Sequence, residues 1–178
     1  MTLKERYQKE IAPGLTKEFG IKNPLAVPKV TAVTVSIGAS QGLKDAKFLD
    51  IAEETLVRIT GQKPVRTKAK KSIASFKIRE GMVVGLRVTL RGPRMWHFLE
   101  KLLKITFPRI RDFRGISPKM IDQEGNVSVG FREFLPFPEI RPDEVERVHG
   151  LQVTVSTTAH DRDKGRALLT ALGFPFKD

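Results

Sequence analysis

The sequence predicts an α+β fold, in which helices pack on one face of an antiparallel sheet and leave the opposite face free. Two patterns indicate this class. Four short segments alternate apolar and polar residues, which is typical of strands with one buried and one solvated face. Other segments place apolar residues on one stripe at helical spacing. No Ser-rich or Gly-rich linker divides these elements, so residues 1–178 are expected to form a single domain.

The predicted strands each have a clear apolar side. They cover residues 30–37, 84–91, 126–129 and 151–156. In the second strand the apolar side chains occupy the even-numbered positions, while Arg87, Thr89 and Arg91 occupy odd-numbered ones. Side chains two residues apart share a face of a strand, so these three should lie together on the solvated face.

The predicted helices begin or end at proline or glycine. They cover residues 44–60, 93–105 and 161–172, with a weaker helix over residues 3–19. Gly61 can end the first, Pro93 begins the second and Gly173 ends the third. The weaker helix is interrupted by Pro13 and Gly14. The residues of the second helix expected to face inward are Trp96, Leu99, Leu102 and Leu103.

Cations are concentrated in the first two-thirds of the chain. The net charge is +12, and residues 1–114 hold 24 cations against 10 acids, whereas residues 115–178 hold 8 against 10. Such polarised charge is typical of proteins that bind nucleic acids. Residues 63–79 contain no acid and seven cations, namely Lys63, Arg66, Lys68, Lys70, Lys71, Lys77 and Arg79. The like charges of this stretch repel one another in the isolated protein, and binding to a polyanion relieves that repulsion. A solvated cationic loop is the simpler alternative.

Residues 64–79 are predicted to form one long loop, because the next strand follows a glycine turn. Long loops in compact domains are usually functional or disordered. Phe76 and Ile78 are expected to anchor the return arm, with Phe76 acting as a packing residue rather than a base-stacking one. The cations expected to reach outward are Lys68, Lys70 and Lys71.

Several other function classes lack the residues that they need. The chain has no cysteine, and its three histidines are too scattered for ligand spacing, so neither a metal nor another cofactor is expected. No apolar run approaches the roughly 20 residues that span a bilayer, and no lipidation motif or basic amphipathic helix is present, so no membrane partner is expected. The amino terminus mixes acids with cations, unlike a signal or transit peptide.

An enzyme with a phosphate-binding loop is a rival interpretation. Strand 30–37 is followed by Gly38, Gly42 and Lys44 and then by a predicted helix. A nucleotide-binding loop needs Gly-Lys followed by Ser or Thr, whereas residues 42–45 read Gly-Leu-Lys-Asp. His149 and His160 also have no convincing nucleophile partner. The sequence therefore predicts a protein that is not an enzyme.

The free face of the predicted sheet would present hydroxyl, amide and guanidinium groups. These groups suit ribose and phosphate, and RNA is favoured over DNA because it is recognised largely through shape, 2′-hydroxyls and unpaired bases. The β-propensity of Thr and Ser is an alternative explanation for their positions. The aromatic stacking surface typical of RNA-recognition-motif sheets is missing.

Several motifs closely resemble, in the same order, the large-subunit ribosomal protein family that binds 5S ribosomal RNA, the fifth protein in the large-subunit numbering. They are TGQKPVRTKAKKSI at 60–73, FKIR at 76–79, VTLRG at 88–92, RMW at 94–96, PRIRDFRG at 108–115, GRALL at 165–169 and GFPF at 173–176. The resemblance runs through almost the whole chain. The length of the chain is similar to that of bacterial or organellar members rather than archaeal ones. One departure occurs in the motif at the end of the first strand, where Ser36 and Ser40 replace the usual asparagine and second glycine. The shorter hydroxyl of Ser36 would weaken an RNA contact or need a bridging water.

The resemblance implies a structural protein in the central protuberance of the large subunit. Its implied partners are 5S rRNA, large-subunit rRNA, P-site tRNA, a small-subunit head protein and neighbouring 5S-RNA-binding ribosomal proteins. The implied location is the ribosome, in the cytoplasm or in an organelle. A general RNA chaperone or nucleic-acid-compacting protein is the alternative, because it would share the charge.

Each implied contact corresponds to a set of residues. Together with the solvated sheet face, the resemblance predicts 5S rRNA contacts from Lys29, Thr34, Ser36, Gln62, Lys63, Arg66, Arg87, Thr89 and Arg91. It predicts tRNA contacts from Lys68, Lys70, Lys71, Ser72, Lys77 and Arg79. The predicted intersubunit contacts are Arg109, Arg111 and Arg114, although Asp112 could instead pair with an arginine to fix that loop.

Overall fold

The computed structural model of the protein describes residues 1–39, 46–141, 143 and 147–177. Contacts group the chain into two compact units, each made of discontinuous segments. Unit 1 comprises residues 1–33, 90–129 and 154–178, and unit 2 comprises residues 34–89 and 130–153. The boundaries between the segments fall inside strands. The single-domain organisation stays a prediction, and each unit is described separately below.

A five-stranded antiparallel sheet confirms the predicted α+β class. The strand order is β2-β3-β1-β5-β4. All four predicted strands are present, with boundaries shifted by at most two residues. The fifth strand lies within the stretch predicted to be one long loop, so that prediction was wrong over its first part. The strands are β1 (Val30–Gly38), β2 (Val65–Lys68), β3 (Val83–Leu90), β4 (Val127–Phe131) and β5 (Leu151–Thr157).

Two helical segments of unit 1 contain a π-turn that ends two residues before a proline. The first comprises α1 (Leu3–Arg6), a π-turn (Tyr7–Ile11) and α2 (Ala12–Glu18). The second comprises α4 (Gly92–Lys101), a π-turn (Leu102–Thr106) and α5 (Phe107–Arg109). A proline ring in a regular helix clashes with the carbonyl four residues earlier, and the wider turn relieves that clash. Both segments therefore continue through a proline, and the second extends four residues past its predicted end at 105.

The buried face of α4 differs from the prediction at two positions. Met95, Phe98, Leu99 and Leu102 are buried, but Trp96 and Leu103 are only half-buried. The Trp96 ring lies 5.6 Å from the Tyr7 ring. Tyr7 in turn donates its hydroxyl hydrogen to the Pro28 carbonyl at 2.9 Å. Trp96 thus holds the amino-terminal helix rather than filling the core.

The last helix of unit 1, α6 (Arg162–Leu172), confirms its prediction. The Asp161 side chain accepts a hydrogen bond from the Asp163 N–H at 3.0 Å, and Gly173 ends the helix with a φ of 102°. Gly165 allows the closest approach in this unit, since a Cβ there would lie 2.4 Å from the Cα of Gly125. The carboxyl end follows the glycine preference on which the prediction rested, and the amino end follows the usual preference for Asp at the N-cap.

The long helix of unit 2 is α3 (Ala46–Thr60). Its buried side chains include Phe48, Ala52, Leu56 and Ile59. Gly61 follows the helix with a φ of 67°, as expected for a helix-ending glycine. Residues 44 and 45 of the predicted helix, and the Gly42-to-Asp45 sequence considered as a phosphate-binding loop, lie outside the described residues.

The described part of the chain contains no helix long and apolar enough to cross a membrane.

Candidate RNA-binding surface

Strand β3 presents polar side chains on one face of unit 2. Arg87 is exposed and Thr89 is half-buried, while Leu86 and Val88 between them are buried. Strand β2 extends this face, because Val65 pairs with Arg87 and Thr67 pairs with Gly85 in the antiparallel register. Directly paired residues project to the same side of a sheet. The solvated face therefore carries an exposed guanidinium beside hydroxyl groups, as the alternation predicts.

The structure brings Gln62 and Thr89 together. The Gln62 side-chain amide donates a hydrogen bond to the Thr89 carbonyl at 3.3 Å. Gln62 lies two residues after the last residue of α3, and its backbone N–H donates to the Thr60 hydroxyl at 3.3 Å. These bonds hold Gln62 against the end of β3. The side-chain oxygen of Gln62 and the hydroxyl of Thr89 have no hydrogen-bond partner among the described residues, so both can bind a ligand.

Two further predicted residues of unit 2, Thr34 and Ser36, lie on β1. Both are half-buried, and they alternate with the buried side chains of Val35 and Ile37. Their hydroxyls are therefore accessible on one side of the strand. Lys63 is exposed in the short segment between α3 and β2.

Lys29 and Arg91 belong to unit 1. Both are exposed. Lys29 lies directly before β1, and its backbone N–H donates to the Thr158 hydroxyl at 3.1 Å. The Arg91 guanidinium donates to the Thr31 carbonyl at 3.5 Å, a weak contact that leaves its remaining N–H groups accessible.

Arg66 differs from the other predicted RNA-binding cations. Its register partner is Leu86, so it projects to the side of the sheet opposite Arg87. There its guanidinium donates to Glu53 at 2.7 and 2.9 Å and to Asp50 at 2.8 Å. The hydrogen bond to Glu53, followed by that to Asp50, raises the pKa of Arg66 above its usual value. Two carboxylates of α3 thus neutralise Arg66, and its contact with RNA stays a prediction.

The segment between β2 and β3 is an ordered hairpin rather than an open loop. We call residues 69–82 the hairpin. Its base is closed by the Ala69 N–H, which donates to the Met82 carbonyl at 2.8 Å. Farther out, Ile73 and Ile78 exchange two backbone hydrogen bonds of 2.9 and 3.1 Å. The Ser72 hydroxyl also accepts from the Glu80 N–H at 2.9 Å.

The outer end of the hairpin is a tight turn of four residues. Ala74–Phe76 form a 3₁₀ turn, and Lys77 follows in the left-handed region with φ 54° and ψ 33°. The Lys77 N–H donates to the Ala74 carbonyl at 3.1 Å. A left-handed residue is uncommon outside glycine, and here it reverses the chain toward Ile78. This geometry fixes the backbone on both sides of Phe76.

The expectation that Phe76 anchors the return arm was wrong. Its side chain is 69% exposed, whereas Ile78 is half-buried and forms the bridge to Ile73. Backbone hydrogen bonds anchor the arm instead. They leave the apolar ring of Phe76 in solvent beside Lys77.

The cations of the hairpin and its approach have no acidic partner among the described residues. Lys70, Lys71, Lys77 and Arg79 are all exposed, as is Lys68 at the end of β2. Their charge is therefore available to a polyanion. A shallow depression on the return arm is lined by Ser72, Ala74, Lys77, Ile78, Arg79 and Glu80.

The predicted intersubunit loop of unit 1 is fixed by stacked rings. Phe113 lies 5.2 Å from Phe107 with an interplanar angle of 12°. Asp112 adopts a φ of 53°, and no arginine pairs with it in the part of the chain that the structure describes. The alternative in which Asp112 fixes the loop by an ion pair thus has no support here. The stacked ring leaves three exposed arginines around it, namely Arg109, Arg111 and Arg114.

Sequence reasoning missed the partners of Arg66 and the existence of β2. The carboxylates at 50 and 53 are three residues apart on a predicted helix, which places them on one helical face. That spacing was a usable signal for a cation partner, but nothing in the sequence identified which cation. Within residues 1–39, 46–141, 143 and 147–177, no group of His, Cys, Asp or Glu could hold a metal ion.

Comparison with known proteins identifies the family. Residues 23–79 match the family model for ribosomal protein L5, and residues 83–176 match the model for the C-terminus of the same ribosomal protein family. The large ribosomal subunit protein uL5 of Kosmotoga olearia is 51% identical over 98% of this chain and 96% of its own length. Those of Rubrobacter xylanophilus and Roseiflexus sp. (strain RS-1) are 52% and 49% identical, over 98% and 99% of this chain and 97% and 98% of their own lengths.

These matches confirm the resemblance drawn from the motifs. They also confirm the prediction that the chain is not an enzyme, since the family is structural and non-enzymatic. The chain belongs to the L5 family of large-subunit ribosomal proteins.

Proposed function

We propose that this protein attaches 5S rRNA to the large ribosomal subunit through the solvated face of its sheet. The observation that carries the proposal is the pairing of Gln62 with the end of β3, next to Thr89. This contact holds an accessible amide oxygen and an accessible hydroxyl at fixed positions. Such groups, with the exposed guanidinium of Arg87 nearby on the same strand, suit ribose hydroxyls and phosphate oxygens.

The hairpin serves a second contact in this proposal, with the tRNA in the P site. Its cations are exposed and lack acidic partners among the described residues. Its backbone bridges make it a stiff protrusion, so little conformational entropy is lost when it binds. The contact residues are Lys68, Lys70, Lys71, Ser72, Lys77 and Arg79.

The loop with Arg109, Arg111 and Arg114 serves a third contact, with a protein of the small-subunit head. Exposed arginines around a stacked Phe113 suit an adaptable, charged interface. Cross-linking of this loop in assembled ribosomes should yield a small-subunit head protein. Recovery of 5S rRNA alone from this loop would overturn the assignment.

Two experiments test the main proposal. Tagged protein in a cell lysate should sediment with the large subunit, and its absence from that fraction would contradict a ribosomal role. Purified protein should then bind structured 5S rRNA much more tightly than duplex DNA of equal length at the same salt concentration. Equal affinity for the two would favour the alternative, a general RNA chaperone or nucleic-acid-compacting protein.

A further inference from the structure

Phe76 is the only aromatic residue of the hairpin. No contact within the described residues explains its exposure. Its ring is 69% exposed, and no other ring lies against it among the described residues. A solvent-exposed ring forgoes the burial that stabilises most aromatic residues. A single exposed apolar residue needs no partner by itself, so the case for a partner rests on the cations around Phe76.

The backbone around Phe76 places this residue at the outer end of the hairpin. The two hydrogen bonds between Ile73 and Ile78 close a turn of only four residues. The left-handed conformation of Lys77 then reverses the chain directly after Phe76. Because both flanks are fixed, Phe76 stays at the outer end of the hairpin, where its side chain is exposed.

The charge around Phe76 indicates the chemistry of its partner. The exposed cations of the hairpin and its approach favour an anionic partner and disfavour a basic or purely apolar protein surface. RNA combines the two features required, since its phosphates bind cations and its bases present flat aromatic faces. Aromatic side chains flanked by cations stack on bases in proteins that bind single-stranded segments.

We propose that Phe76 stacks on an exposed nucleobase of the tRNA that the hairpin meets. The inference rests on the proposed tRNA contact and adds a specific role for one side chain. The lysines then supply affinity that depends on salt, and Phe76 supplies affinity that does not.

Ribosomes whose only copy of this protein carries a substitution provide the test. The rate at which tRNA leaves the P site is measured over a range of salt concentrations. Phe76→Leu should weaken tRNA binding about 5- to 150-fold, the range expected for one lost base stack, with an unchanged salt slope. Phe76→Tyr should bind like the wild type, because it keeps the ring. Leu25→Ala is the matched control, since Leu25 is 83% exposed outside the hairpin.

A second readout reports on stacking itself. Short-wavelength ultraviolet irradiation should cross-link Phe76 to a tRNA base, and the adduct should be identified by mass spectrometry and be absent in Phe76→Leu. If Phe76→Leu behaves like the wild type while substitution of the hairpin lysines weakens tRNA binding, the stacking inference is wrong and the proposed tRNA contact stands. If neither change matters, the tRNA contact fails and the stacking inference with it. Equal losses in Phe76→Leu and Phe76→Tyr would also overturn the stacking role.

Discussion

Strand β2 and the hairpin that follows it both carry closely spaced cations, but Arg66 in β2 is neutralised, whereas Lys68 at the end of β2 and the hairpin cations are not, among the described residues. Arg66 on β2 lies within 2.9 Å of carboxylate oxygens of Asp50 and Glu53. Lys70 and Lys71, a few residues later, are exposed and have no acidic partner there. The difference arises because β2 is an edge strand whose alternate side chains face α3, whereas the hairpin extends beyond the sheet.

This difference shows that cations which look equivalent in sequence can have different electrostatic roles. A neutralised arginine releases few counterions from RNA, since its charge is already compensated. An exposed lysine without an acidic partner releases close to one counterion for each phosphate that it contacts. The basic stretch thus contains a structural cation and several that are available to RNA, and the following experiments test that distinction.

The largest effect should come from substituting Lys68, Lys70 and Lys71 together by glutamine. Three lost phosphate contacts should flatten the salt dependence of tRNA binding by about two to three units of slope, while most 5S rRNA affinity remains. The measurement is tRNA binding to ribosomes over a range of salt concentrations. The same substitution of Lys4, Lys9 and Lys17, which are exposed cations of the amino-terminal helix, is the control and should leave the slope unchanged.

The Thr89→Ala substitution should weaken the contact with 5S rRNA rather than the contact with tRNA. Loss of the hydroxyl should cost about 1 to 3 kcal/mol of 5S rRNA affinity, because a buried RNA group would lose its partner. Filter binding to 5S rRNA measures the effect, with Thr89→Ser as the control that keeps the hydroxyl. Unchanged affinity in a folded Thr89→Ala protein would mean that Thr89 occupies the strand for its β-propensity alone.

Removal of the acidic partners of Arg66 should make its charge available to RNA, as the charges of the hairpin cations are. The double change Asp50→Asn and Glu53→Gln removes both of its acidic partners. The salt slope of 5S rRNA binding should then steepen by about one unit. In the wild-type background, Arg66→Gln should change the salt slope of 5S rRNA binding much less than Lys71→Gln changes the salt slope of tRNA binding. Equal changes for Arg66→Gln and Lys71→Gln would show that Arg66 binds RNA despite its carboxylate partners.

A smaller effect, on stability rather than on RNA binding, is expected from His149. This side chain is 7% exposed and its ring packs against those of Phe48 and Phe134, at 5.7 and 4.4 Å. Burial lowers the pKa of His149 below its usual value, although the contact of its Nδ1 with the Gly150 carbonyl at 3.3 Å acts in the opposite direction. Its Nε2 has no partner among the described residues. The neutral ring is therefore the form that the fold stabilises.

The pH dependence follows from this direction. The unfolded chain takes up a proton on His149 near pH 6.5, while the folded protein resists it until a lower pH. Stability should be fully present above about pH 6.5 and decrease as the pH falls toward the folded-state pKa. Urea unfolding at several pH values measures this, and His149→Phe should reduce the dependence, whereas His160→Asn, at an exposed site, should not. An unchanged pH profile in His149→Phe would contradict the assignment.

The comparison between β2 and the hairpin also shows what the sequence can predict. Alternation at residues 84–91 correctly predicted which side of β3 is solvated, because burial of one face imposes a period of two. Strand β2 has no such period, since Val65 and Arg66 are both exposed on an edge strand. Its pairing with β3 is set by tertiary structure.

The remaining differences have similar causes. The helix-breaking tendency of proline predicted an interruption at Pro13. A π-turn over residues 7–11 instead lets the helical segment continue through Pro13. Residue type favoured burial of Phe76, but the tight turn places it at the outer end of the hairpin, where it is exposed. The proximity of Gln62 to Thr89 depends on how α3 meets β3, and the spacing of these two residues in the sequence does not encode it.

The most direct test of the separate roles of sheet and hairpin compares two variants within one preparation of ribosomes. Large subunits carrying either Thr89→Ala or the triple glutamine substitution at 68, 70 and 71 are assayed for their 5S rRNA content and for retention of P-site tRNA. The account predicts opposite results. Thr89→Ala should lower the 5S rRNA content, and among particles that retain 5S rRNA it should leave tRNA retention unchanged, while the triple variant should keep 5S rRNA and lose tRNA more rapidly. Loss of 5S rRNA from the triple variant with normal tRNA retention would contradict it and place the hairpin in the 5S rRNA interface.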